Sequence, residues 1–92
     1  MYLVNIAIKR TPDAAFPVLA EDQAIAALRA EVAPDDGLEH ISARAGPDVV
    51  HVGIFWLSHN RETAEMNALR LCRKALEHQP LLVGWQLADG IS

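Results

Sequence analysis

Val49-Val50-His51-Val52-Gly53-Ile54-Phe55-Trp56-Leu57 is followed by Ser58-His59-Asn60 and then by a helical pattern that runs from Arg61 to His78. The first nine residues are rich in β-branched and aromatic side chains on both alternating faces, with His51 and Gly53 as the exceptions. That composition fits a central strand with neighbours on both sides. Ser58 and Asn60 carry the side-chain oxygens that accept from the free amides of a first helical turn. Beyond them Ala64, Ala68, Leu71, Cys72, Ala75 and Leu76 recur at spacings of three and four, one apolar stripe, while Glu62, Glu65, Arg70, Arg73, Lys74 and Glu77 form a solvated face.

Working outward from this strand and helix, Leu38 to Ala45 lies just before Gly46-Pro47 and reads as the partner strand of a hairpin. With Ala45 placed opposite Asp48, Ser42 faces His51, His40 faces Gly53 and Leu38 faces Phe55. Ala43 and Ile41 then join Val50, Val52 and Ile54 on the core side. Tyr2 to Lys9 alternates as a first strand. Arg10 to Pro17 holds two prolines and forms the longest connection, and Glu21 to Val32 is helical, with Glu21 and Asp22 where the helix dipole favours negative charge. Pro34-Asp35-Asp36-Gly37 stops that helix. After Pro80, Leu81 to Leu87 alternates as a last strand, its Leu82, Gly84 and Gln86 on the side away from the helices.

The expected order is therefore strand, helix, strand, strand, helix, strand: an α+β, ferredoxin-like βαββαβ domain over residues 1–92, with a four-stranded antiparallel sheet and both helices on one face. This order resembles that of many small families, including dimeric monooxygenase and cyclase domains that pair sheet to sheet. No motif particular to one family accompanies it. Resemblance of this kind implies a shape and leaves function to the site.

Composition narrows the function classes. Half of the 92 residues are apolar and the net charge is −4, which excludes a disordered chain and a basic nucleic-acid binder. The RNA-recognition fold shares the strand order, but it uses a basic residue and several exposed aromatics where this chain has His51, Gly53 and Phe55. No run approaches the roughly 18 apolar residues of a membrane span, and no targeting segment is evident. Cys72 is the only cysteine, so an internal disulfide is impossible and a reducing cytoplasm is the expected compartment. Arginine outnumbers lysine six to two and alanine is abundant, a bias resembling high-GC bacterial coding.

With both helices on one side, the opposite side of the sheet must meet water, a ligand or another chain. Four strands about 4.8 Å apart and five residues at about 3.3 Å each give a footprint of roughly 300 Å². A second copy of the chain is the simplest cover for so apolar a face. Asn5, Ser42, Gly53, Phe55, Gly84 and Gln86 are the expected ligand-binding positions, because polar groups there adjoin glycines that leave room. The leading expectation is a small non-enzymatic binding module, a cytoplasmic homodimer using the open sheet face to take a protein partner or a small apolar ligand. The alternative is a small accessory enzyme, cyclase- or monooxygenase-like, in which His51 or His40 is the acid or base on an apolar metabolite. Two histidines without a third ligand give no metal site, and no cofactor is expected. Cys72 belongs to the core, as do Trp56 and Trp85.

Overall fold

The computed structural model describes residues 1–16, 18–33 and 37–91. Its elements are β1 (Tyr2–Arg10), α1 (Glu21–Arg29), β2 (Leu38–Ala45), β3 (Val49–Trp56), α2 (Arg61–His78), a single 3₁₀ turn (Pro80–Leu82) and β4 (Trp85–Ile91). This is an α+β fold with two helices and one four-stranded sheet of order β2-β3-β1-β4, antiparallel at every junction. Val4, Ile6 and Ile8 from β1, Ile41 from β2, and Val50, Val52, Ile54 and Trp56 from β3 all point to one face. They share a single core with Ala24, Ala27 and Leu28 of α1 and Leu71 and Cys72 of α2. Period-two alternation in the strands and period-3.6 alternation in the helices thus converge on one buried layer.

Three of the α2 core residues, Ala64, Ala68 and Ala75, are fully buried. Small side chains there let the helix backbone lie close to the sheet, and removing such apolar area from water is what holds the two layers together. Asn60 caps the helix, its side chain accepting from the Thr63 amide at 2.8 Å. That leaves one fewer unsatisfied donor in the first turn. At α1 the residue before the helix is Ala20, and Gln23 reaches back to accept from the Ala20 amide at 2.9 Å.

Four details differ from the sequence reading. The hairpin register is Ala45 opposite Val50, Arg44 opposite His51, Ser42 opposite Gly53 and His40 opposite Phe55, two residues from the expected pairing. Gly46 donates to the Val49 carbonyl at 2.8 Å, so the two-residue loop is Pro47 and Asp48 rather than Gly46 and Pro47. A slip of two preserves the faces. Leu38, however, changes side: the register shifts between Leu38 and His40, so Leu38 pairs with Trp56 and packs against the core. Glu39 is the extra residue of this bulge.

Helix α1 ends at Arg29 rather than Val32. Glu31 and Val32 donate to carbonyls three residues back, Leu28 and Arg29, which winds the chain out of the α-helix. The Pro34-Asp35-Asp36 part of the expected helix stop lies outside the described residues. Finally, Leu81 to Gly84 is not strand. Leu82 and Val83 donate to the Gln79 and Pro80 carbonyls, and the turn buries Leu82 while leaving Val83 exposed, the reverse of the expected alternation. A proline at the first position is as good a start for a helical turn as for an extended run.

The long Arg10 to Ala20 connection is tied to this turn. Thr11 meets the Gly84 carbonyl through both its amide, at 2.9 Å, and its hydroxyl, at 2.5 Å. The Trp85 indole donates to the Phe16 carbonyl at 3.1 Å. No helix among the described residues is long and apolar enough to cross a membrane.

Candidate functional site

The side of the sheet away from the helices is arranged in rows set by the strand registers. His40, Phe55 and Leu3 form the first row, Ser42, Gly53 and Asn5 the second, Arg44, His51 and Ala7 the third, and Val49, Lys9 and Gln86 the fourth. The first row is the apolar end. The His40 and Phe55 rings lie 5.8 Å apart at 47°, Phe55 is half-buried, and Leu3 is exposed. At the same end of the sheet Met1 and Leu57 are 73% and 65% exposed, so apolar surface extends beyond the row itself.

The second row is a slot. A Cβ on Gly53 would lie 2.8 Å from Ser42 Oγ, 3.3 Å from Leu3 Cδ1 and 3.5 Å from Asn5 Oδ1, so the missing side chain is what opens the space between these three. A shallow depression here is lined by Asn5, Ser42, Ala43, Arg44, His51, Val52 and Gly53. Of the sequence-derived site residues the fold therefore gathers Asn5, Ser42, Gly53 and His51 around one depression. Phe55 is the next residue toward the apolar end on the same face.

Three other residues expected at the site, His40, Gly84 and Gln86, stand apart from it. His40 sits beside Phe55, and four residues of β3 separate that row from His51, about 13 Å at strand rise. The two histidines therefore do not share a substrate atom or an ion. Gly84 is not on the face at all. It has φ +83° in the turn before β4, and its α-carbon abuts the backbone of Ala14 and Asp13. Gln86 is on the face, but at the far row beside Lys9. Leu82, expected among the open-face residues, is in the core.

The charges of the face were not singled out by the sequence reading. Lys9 and Arg44 are exposed and, like that of His51, their side chains make no hydrogen bond or ion pair among the described residues. Their neighbour Arg10 is different: it pairs with Asp48 at 2.5 Å across the hairpin end. Both cations follow from the alternation that identified Asn5 and Ser42, and the available signal was the lack of any acidic residue in the same rows.

Protein-family models, curated proteins and solved structures contain no match to this chain.

Elsewhere, a shallow groove along α2 is lined by Met66, Leu69, Arg70, Arg73, Lys74 and Glu77. Arg70 is held by a hydrogen bond to the Asn67 carbonyl oxygen of its side chain, one turn earlier. Cys72 is 1% exposed and burial pushes its thiol up to about 12, so it is an inert core residue and not a nucleophile.

Proposed function

We propose that this chain is a small, non-enzymatic ferredoxin-like binding module that pairs as a homodimer through the open face of its sheet, in a reducing cytoplasm. The strand order β2-β3-β1-β4, with strand and helix alternating as βαββαβ, supports the ferredoxin-like part of this reading. One observation carries the binding part. Phe55 and Leu3, with Met1 and Leu57 beside them, leave apolar surface on the side of the sheet that neither helix covers. Contiguous apolar patches on such a face mark association or ligand sites more often than plain solvent-facing surface.

Native mass spectrometry of freshly purified protein tests the reading, since it reports the number of chains and any bound mass. A dimer is expected. Phe55→Asp should return it to monomer, because a carboxylate buried in the middle of an apolar contact costs more than about 2 kcal/mol of association. A wild-type monomer would sink the homodimer.

A second reading, an accessory enzyme in which His51 is the acid or base on an apolar metabolite, is favoured by the depression that sets His51 beside Ser42, Gly53 and Asn5. There His51→Ala would abolish turnover of the bound metabolite and leave the dimer intact. In the binding reading the same substitution leaves association unchanged.

A further inference from the structure

The chain carries twelve acidic residues against eight basic ones. Among the described side chains of the four rows on the open face there is no carboxylate, yet Lys9, Arg44, His40 and His51 are all there. Glu39 is exposed in the bulge at the apolar end and pairs with no residue of β3. The described side chains of this face thus carry net positive charge in an acidic protein, and both Lys9 and Arg44 lie at the end of the face that holds His51. Arg44 and His51 stand directly opposite on neighbouring strands, and Lys9 is the diagonal neighbour of His51 across β1. On these spacings His51 lies within about 5 to 8 Å of each of the other two at Cβ, and Arg44 and Lys9, on the strands either side of β3, flank it with side chains long enough to reach over it.

A second copy of the chain cannot neutralise this end. The described side chains of two identical faces brought together present cations and histidines to each other and no carboxylate, and burying unpaired cations is costly. The side chains are also uncommitted among the described residues, unlike Arg10 with Asp48 or Arg61, which donates to the Leu3 carbonyl at 3.3 Å. An anion that enters the face satisfies them. The apolar end, about 13 Å away along β3, fixes what the rest of that anion must be.

We propose that the open face binds a small organic carboxylate with an apolar body. Its head group lies at Lys9, Arg44 and His51, and its body crosses the Gly53 slot to Leu3 and Phe55. Arg44 supplies the planar pair of donors that suits a carboxylate, and Lys9 a point charge beside it. Asn5 and Ser42 flank the slot and are free to hydrogen-bond a polar substituent along the body. The inference rests on reading this face as a binding surface and names the chemistry of what it takes.

Titration calorimetry with octanoate, octanol and acetate as separate probes tests it, with native mass spectra of the same samples recording the number of chains. Octanoate should bind at least about tenfold more tightly than octanol, which lacks the charge, and than acetate, which lacks the body. Arg44→Gln should weaken octanoate about tenfold, the effect of losing a charged hydrogen-bonding partner, with little effect on octanol. Arg44 is exposed, so the variant is expected to fold, as circular dichroism would verify; Lys9→Gln provides an independent second variant with the same expected direction. Octanol binding as well as octanoate, octanoate affinity unchanged in both folded variants, or no octanoate binding in the millimolar range would each overturn the proposal. A monomer that binds octanoate in an Arg44-dependent way upholds it while refuting the homodimer. A dimer indifferent to octanoate does the reverse.

Discussion

Ser42 and Gly53 stand opposite each other on β2 and β3, and a Cβ built on Gly53 would fall 2.8 Å from the Ser42 hydroxyl oxygen. The slot in the middle of the open face is therefore made by one absent side chain and bounded by one small polar one. What it would meet is the end of a side chain that can rotate, not a backbone atom, so the space is a feature of the surface and not a requirement of the fold.

Gly53→Ala should accordingly be tolerated. The new methyl turns Ser42 to another rotamer, and the entropy lost by an interior glycine on folding is partly recovered. Urea unfolding is expected to place the variant within about 1 kcal/mol of wild type. Combining it with Ser42→Ala should bring back a few tenths of a kcal/mol, the coupling of two contacting side chains. A loss beyond about 3 kcal/mol for Gly53→Ala alone would mean that Ser42 is not free to move.

Gly84→Ala should behave in the opposite way. At φ +83° an alanine is strained whatever the space, and its Cβ would collide with the backbone of Asp13 and Ala14, which cannot rotate aside. The loop around those residues is also held by Thr11 to the Gly84 carbonyl. A loss of at least about 2 kcal/mol is expected, read as a fall in the thermal midpoint of about 10 °C for a chain of this size. An unchanged midpoint would show that the turn accepts another conformation.

The contrast between these two glycines also marks what the sequence makes legible. Both sit in apolar alternations that by period two alone place them on the open face. For Gly53 the alternation held, because Val49 to Trp56 is a strand whose period-two pattern is enforced by a core on one side. The hairpin slipped by two residues without harm to the faces, but it moved His40 from Gly53 to Phe55 and so separated the two histidines. For Gly84 the local pattern was ambiguous. Leu81, Leu82 and Val83 are apolar in succession, and only the contact with the loop after Thr11, far away in the chain, selects a 3₁₀ turn over a strand. Leu38 failed for a related reason, since the bulge at Glu39 arises from pairing with β3 and leaves no mark in the order of residues. The cationic end of the face was readable from Lys9, Arg44 and His51 once the registers are known. Charge on a sheet acquires meaning only from which strands are neighbours.

Cys72 should be silent toward thiol reagents in the folded protein. Its thiol is 1% exposed and burial pushes its pKa up to about 12, so neither access nor thiolate is available at pH near 8. With Ellman's reagent, less than one equivalent should react over the time in which the same sample in denaturant reacts fully. A fast stoichiometric reaction without denaturant would place Cys72 outside the core.

The acid limb of stability should report Glu31. Its carboxylate accepts from the Gln79 amide at 2.5 Å and lies 3.2 Å from His78 Nδ1, fastening the end of α1 to the end of α2. The hydrogen bond from Gln79, then that with His78, holds the Glu31 carboxyl below the ordinary range, against a smaller opposing effect of burial. A carboxylate depressed in the folded state binds its proton more readily in the unfolded chain. Its contribution is therefore present above the unfolded value, about 4.3 for glutamate, and is lost as pH falls through the folded one. Glu31→Gln should be less stable than wild type near neutral pH, and the gap should narrow as pH falls below that unfolded value. Urea midpoints of the two proteins, measured at several pH values from about 7 down to about 3, give the comparison directly. A gap that stays constant across the range would mean that the link between the helix ends does not depend on the charge of Glu31.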